Sequence, residues 1–194
     1  MMSDSGDPGP VARARALAPL VADAADEAER ERRLPERVAV AMAEAGLYRV
    51  AVPEACGGLA CPPRTQIETI EAISMADGAA GWNLMIGVEN LSFLGPALAP
   101  ETAEKVFGDP LLVVAGALNP LGRATRVDGG LVVSGRWPFA SGCHNAHWFW
   151  GQCVVQEGGA PGASPGGEPE LREALIPRAD FEILDTWHVA GLRG

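Results

Sequence analysis

The sequence predicts an α+β protein in which helices come first and strands second. Apolar residues recur at helical spacing in successive blocks as far as Phe107. After Pro110 the period changes, and runs of Val, Leu, Trp and Phe read as strands. Strands and helices do not alternate afterwards, so a βαβ sheet is not expected. The expected layout is a disordered leader at 1–10, a helical domain at 11–110 and a β domain at 111–194. That β domain is expected to be antiparallel, barrel-like and incomplete.

The leader is rich in Ser, Asp, Gly and Pro. A first helix follows, with Leu17, Val21, Ala24 and Ala28 along one stripe and Asp23, Asp26, Glu27 and Arg30 facing away. Pro19 lies inside this pattern and is expected to kink or delay the helix. Pro35 opens a second helix, Val38, Ala41, Met42 and Ala45 carry its apolar face, and Gly46 closes it. The short apolar run Leu47–Val52 ends at Pro53, and residues 53–58 form a loop around Gly57 and Gly58. Pro62 and Pro63 start a third helix with Ile67, Ile70 and Ile73 on one side, stopping near Asp77-Gly78. From Ala79 to about Leu94 the fourth helix is apolar nearly all round, which suits the centre of a domain. A short amphipathic helix runs from Pro100 to Phe107-Gly108.

In the second half, residues 111–118, 122–127 and 131–139 are β-rich, and Asp128-Gly129-Gly130 supplies hairpin turn chemistry. Residues 147–155 form a strand rich in Trp, Phe and Val. A Gly/Pro/Ser loop covers 156–169, and 172–176 and 181–184 read as two further strands. The sequence stops after Trp187-His188-Val189-Ala190-Gly191-Leu192-Arg193-Gly194, where too few strands are present to close a barrel. A fragment or truncated product is therefore expected, since an unclosed sheet leaves an open edge.

Fifteen Lys and Arg stand against twenty-five Asp and Glu, a net charge of −10. No basic patch exists to displace counterions from phosphate, so nucleic acid is not an expected partner. No apolar run is long enough to span a membrane, and the polar start of the chain has no secretory h-region. Four cysteines (Cys56, Cys61, Cys143, Cys153) are too few for a disulfide framework, and the cytoplasm is the default compartment.

Neither a Rossmann G-x-G-x-x-G, a Walker A loop nor a G-x-S-x-G elbow occurs. Cys143, His144, His147 and Cys153 lie close in sequence, but their spacing matches no usual zinc site, and no metal is expected. The informative stretch is 116–148, GALNPLGRATRVDGGLVVSGRWPFASGCHNAHW. Small residues Ala140, Ser141 and Gly142 follow Phe139 at the end of an aromatic strand, where they would let a flat ligand approach the backbone. Ser141 offers a hydroxyl and an amide N–H, and Trp137, Phe139, Trp148 and Trp150 offer rigid apolar faces. The same residues also read as a β core ending in a turn.

The pattern G-x-W-x-F-A-S-G-C, followed by H-x-x-x-W, resembles the flavin segment of the acyl-CoA dehydrogenase superfamily. It is most similar to the branch of reduced-flavin-dependent monooxygenases and hydroxylases. Pro53-Glu54 with Gly57-Gly58, Asp77-Gly78 through Gly81-Trp82, and the block from Asp185 to Gly194 resemble other family segments. The resemblance covers residues from about 11 to the end. The family continues with the rest of the β domain and a four-helix bundle that builds a homotetramer; that bundle is absent here.

The resemblance implies a flavin cofactor, FMN or FAD, a small aromatic or polycyclic substrate and a separate flavin reductase. It implies hydroxylation through a flavin C4a-hydroperoxide. Phe139, Ala140, Ser141 and Gly142 would bind the flavin, with Ser141 at its N5; Asn119 would also bind it, and Trp82 would wall the pocket. Ser141, Glu89 and His144 are the candidate catalytic residues. Glu89 stands about two turns after Trp82, where some hydroxylases of the branch carry a histidine; a buried, functional carboxylate and one on a solvated strip are both open. His144 and His147 read either as pocket residues or as surface histidines. Arg123 and Arg126 are candidate flavin-phosphate partners, with an exposed hairpin charge favoured for Arg126. Thioester dehydrogenation with FAD is the alternative, although Asn119-Pro120-Leu121-Gly122 does not match the acidic loop of that branch. A further alternative is a non-catalytic remnant.

Overall fold

The computed structural model describes residues 8–158, 160–162 and 164–194. Most of the expected leader lies outside these residues, and Pro10 is already helical. The chain forms two compact units: the described part of 1–113 together with 184–194, and residues 114–183.

Five helices build the first unit: α1 (Pro10–Glu31), α2 (Glu36–Glu44), α3 (Pro63–Ser74), α4 (Gly78–Ala97) and α5 (Pro100–Phe107). Helix α1 runs unbroken through Pro19 and buries Ala14 together with Val21, Ala24 and Ala28 of the expected stripe, while Leu17 is half-buried. Val38, Ala39, Met42 and Ala43 form the buried face of α2, which Glu27 of α1 ties down through Arg37. In α3 the buried positions are Thr69 and Ile73, while Ile67 is exposed; the apolar face is rotated from the expected Ile67–Ile70–Ile73 line. The Thr69 hydroxyl donates to the Thr65 carbonyl at 2.7 Å, so its burial leaves no hydroxyl unsatisfied.

Helix α4 is capped by Asp77, whose carboxylate accepts the Ala80 N–H at 2.7 Å. It buries Leu84, Val88, Leu91 and Leu94. Burial all round is not what the structure shows: Trp82 and Phe93 are 45% and 53% exposed. Gly87 receives the buried ring of Tyr48, where a Cβ would come within 2.6 Å.

Between α2 and α3 the chain is pinned by Arg49. Its guanidinium is buried and donates to the carbonyls of Cys56, Gly57, Phe107 and Asp109. Burial depresses its pKa, opposed by the Asp109 carboxylate. The loop 53–58 and the end of α5 thus share one cationic clamp. The segment 184–194 is held similarly. Arg32 of the α1 C-cap donates both terminal nitrogens to Asp185, at 2.6 and 2.5 Å, and one of them to the Trp187 carbonyl. Asn83 of α4 donates to the Gly194 carbonyl, and Arg193 meets Glu29.

The second unit is one sheet: β1 (Val114–Val127), β2 (Gly130–Ser134), β3 (Trp148–Glu157), β4 (Ala160–Pro161) and β5 (Leu171–Pro177), in the order β2-β1-β3-β4, with β5 also on β3. The β1–β2 hairpin turns at Asp128-Gly129, as expected. The expected all-antiparallel arrangement is corrected, because β1 and β3 pair in parallel. The reason is topological. β2 and β3 flank β1, so residues 135–147 must cross β1, and that crossing restores the direction of β1. The sheet is not closed. Residues 181–184, expected as a strand, lie outside it, since a 3-10 turn at Arg178–Asp180 ends the pairing.

β1 also carries an irregularity. Ala117 pairs with Gly151 and Gly122 pairs with Cys153, so residues 118–121 face only Gln152. These residues loop out as an exposed bulge. The two predicted strand segments 111–118 and 122–127 are therefore one strand interrupted at Leu118–Leu121.

Candidate functional site

In the sheet unit, the crossing segment carries the corner Phe139–Gly142. Pro138 precedes Phe139, whose φ is +61°, in a region that a bulky L residue adopts only under constraint. Gly142, at φ +78°, completes the reversal without that cost. Backbone hydrogen bonds hold the corner: Ser141 N–H to Phe139 C=O at 3.0 Å, Cys143 N–H to Ala140 C=O at 3.1 Å and Asn145 N–H to Gly142 C=O at 3.1 Å. The amide N–H of Ser141 is thus engaged within the corner. Its hydroxyl, with one donor and two acceptor sites, remains the group of interest.

Phe139 is 75% exposed. An aromatic ring held outward on a strained backbone is not explained by core packing. Ala140, by contrast, packs against the cluster of Ala115, Ala146 and Phe149, as does Ala117 at the start of the bulge. The corner and the bulge therefore grow from a shared piece of core, and Asn119 lies in the bulge, exposed. His144 lies in the turn Cys143–Asn145 immediately after the corner, half-buried. His147 is exposed at the entry to β3. Burial raises the Cys143 thiol above its usual pKa, which disfavours a thiolate there.

In the helical unit, Trp82, Glu89 and Phe93 follow one another at two-turn and one-turn spacing and share the exposed face of α4. Met85 and Ile86 fill the interval, half-buried. Glu89 is exposed on this face.

Among the described residues, no group of three or more His, Cys, Asp or Glu is placed to hold a metal ion. Nor is any helix among them long and apolar enough to cross a membrane. Arg126 pairs with Glu170 at 2.8 Å, and Glu170 also meets Arg172 at 2.6 Å, the surface role favoured for Arg126. Trp137, grouped with Phe139 in the sequence, points the other way, into the core, and Trp150 is buried.

The residues at the corner fit a planar aromatic cofactor. No large side chain stands at 140–142, so a flat ligand could approach the backbone there, and the Phe139 ring stands outside the core.

The fold has matches among known proteins. The family model described as acyl-CoA dehydrogenase, N-terminal domain, matches residues 12–99. The flavin-dependent monooxygenase, oxygenase subunit HsaA, of Mycobacterium tuberculosis (strain CDC 1551 / Oshkosh) is 35% identical over 183 residues, which cover 92% of this chain and 43% of that protein. Indole-3-acetate monooxygenase of Pseudomonas putida is 37% identical over 170 residues, 87% of this chain and 41% of its own length. The crystal structure of 3-HSA hydroxylase from Rhodococcus sp. RHA1 matches with a TM-score of 0.83 and 32% identity, over 98% of this chain and 47% of that one. The chain is similar to the acyl-CoA dehydrogenase superfamily, and the relatives named here are flavin-dependent monooxygenases and a hydroxylase. It spans less than half the length of these relatives.

Proposed function

We propose that this chain is the front part of the oxygenase component of a two-component flavin-dependent monooxygenase that hydroxylates a small aromatic or polycyclic substrate. A separate reductase supplies the reduced flavin. The observation that carries this reading is the Phe139–Gly142 corner: an exposed aromatic on a left-handed backbone beside a small-residue turn, in a chain whose relatives are flavin-dependent monooxygenases.

When bound, reduced flavin, FMN or FAD, supplies the electrons that activate dioxygen. Phe139 and the backbone at Ala140 would hold its ring, the Ser141 hydroxyl would offer it a hydrogen bond, and Gly142 would keep the backbone clear. Asn119 contributes a side-chain amide from the bulge. In the helical unit Trp82 offers an exposed apolar face and Glu89 an exposed carboxylate, and in the sheet unit His144 offers an imidazole; Glu89 and His144 are each proposed as candidates for handling the substrate proton. The assembly is proposed to be a homotetramer.

The test uses the full-length protein with FMN or FAD and an NADH-dependent flavin reductase, against phenolic and indolic substrates. Oxygen uptake that yields hydroxylated product stoichiometrically supports the proposal. Anaerobic bleaching of bound FAD by an acyl-CoA, without hydroxylation, would replace it with thioester dehydrogenation. Failure to retain either flavin would leave a non-catalytic role.

A further inference from the structure

The indole of Trp137 lies on three glycines from neighbouring parts of the sheet. A Cβ on Gly122 of β1 would come within 2.3 Å of its Cζ2, one on Gly151 of β3 within 2.8 Å of its Cε2, and one on Gly135, just past β2, within 2.7 Å of its Cη2. Real Cβ atoms do not approach other atoms so closely, so the three glycines form a floor that only a bare backbone can provide. The ring also meets Phe149 at 5.3 Å between centroids and packs with both core clusters of the unit, the one under Ala117 and Ala140 and the one around Cys153.

Its Nε1–H donates to the Gln152 carbonyl at 2.9 Å. Gln152 is the single β3 residue opposite the four-residue bulge of β1. A bulge interrupts the ladder and leaves local backbone groups in need of partners. Trp137 therefore supplies a hydrogen bond at the position where β1 is displaced. Two residues later, the same chain segment enters the strained corner at Phe139.

We propose that Trp137 is a positioning residue that locks the bulge 118–121 and the corner 139–142 into one preorganised frame. This rests on the flavin reading above, because both segments carry its proposed flavin-binding residues, Asn119 on one and Phe139–Gly142 on the other. Trp137 contacts no substrate or flavin in this role. It sets the spacing between the two segments, and small misplacements in such frames have large effects on binding and rate.

The test compares W137F, which keeps an aromatic ring but lacks the donor, with G135A, whose added methyl would press on both the indole and the Gly122 backbone of β1. V38A is the control, since Val38 is buried in α2 of the helical unit. All are made in the full-length protein, checked for folding by circular dichroism, and matched by urea midpoint. Hydrogen exchange of the amides in 118–121 and 140–146 is expected to accelerate together in W137F and G135A, but not in V38A. Affinity for FMN or FAD is expected to fall about tenfold in W137F, the size of one lost hydrogen bond at a part-buried carbonyl, with a shifted visible spectrum. Unchanged exchange and flavin affinity in both variants, or equal changes in V38A, overturn the inference. If wild-type protein binds neither flavin, the flavin reading fails, while the exchange result still decides whether Trp137 couples the two segments.

Discussion

The two units hold their irregular backbone by opposite means. In the helical unit, long cationic side chains reach across the sequence to orphan oxygens: Arg49 to four carbonyls, and Arg32 to Asp185, far along the chain. The sheet unit relies on missing side chains, three glycines making room for one indole. The proposed functional residues follow the same division. Those of the helical unit stand on a regular helix face that could vary without disturbing the backbone. At the corner the backbone conformation itself is part of the site. Substitutions in the first unit should therefore report side-chain chemistry or loss of a clamp, and those in the second should report conformation.

Arg49→Met is the strongest way to break the helical side of this comparison. The methionine fills much of the volume but leaves carbonyls of the 53–58 loop and the α5 end without their donor. Unfolding free energy is expected to fall by about 3 kcal/mol, as for several buried acceptors left unsatisfied. Urea denaturation measures it, and a loss below about 1 kcal/mol would mean that water replaces the clamp readily.

Phe139→Gly sharpens the sheet side, and its sign matters more than its size. The left-handed conformation costs a non-glycine residue about 1–2 kcal/mol, and glycine gives back about 0.5–1 kcal/mol in unfolded-chain entropy. With the ring mostly exposed, little burial is lost. Stability should rise by about 0.5 kcal/mol while flavin affinity falls. A stability loss above about 1 kcal/mol would show the ring to be a packing residue instead.

Much of this architecture is legible in the sequence because it is local. Helix stripes such as Val21–Ala24–Ala28 and the Asp128-Gly129 turn follow from spacing and φ preference alone. The corner was legible as a run of small residues. Its orientation was not: Trp137 and Phe139 are two apart, which places them on one face of a regular strand. The expected strand 131–139 in fact ends at Ser134, so strand alternation does not apply to these two residues, and one ring turns inward and the other outward. Parallel pairing of β1 with β3 was hidden because strand order depends on where residues 135–147 cross, a long-range matter. Arg49 was missed because one arginine between Tyr48 and Val50 reads as surface charge, and its acceptors are backbone atoms with no sequence signature. Asp185 lay in a block singled out by resemblance, but nothing local pointed to Arg32.

Glu89→Gln gives the smallest structural effect and the cleanest separation of chemistry from fold. The side chain is exposed on α4, and its replacement is isosteric, so stability should change by less than about 0.5 kcal/mol. If Glu89 handles the substrate proton, the hydroxylation rate of the full-length enzyme should fall about 10²-fold or more while flavin affinity stays constant. A rate within about twofold of wild type would assign Glu89 to the solvated strip alone and leave His144 as the remaining candidate. Because α4 carries Glu89 on undistorted backbone, this variant removes a carboxylate without moving a main-chain atom, a separation that no substitution at the corner can achieve.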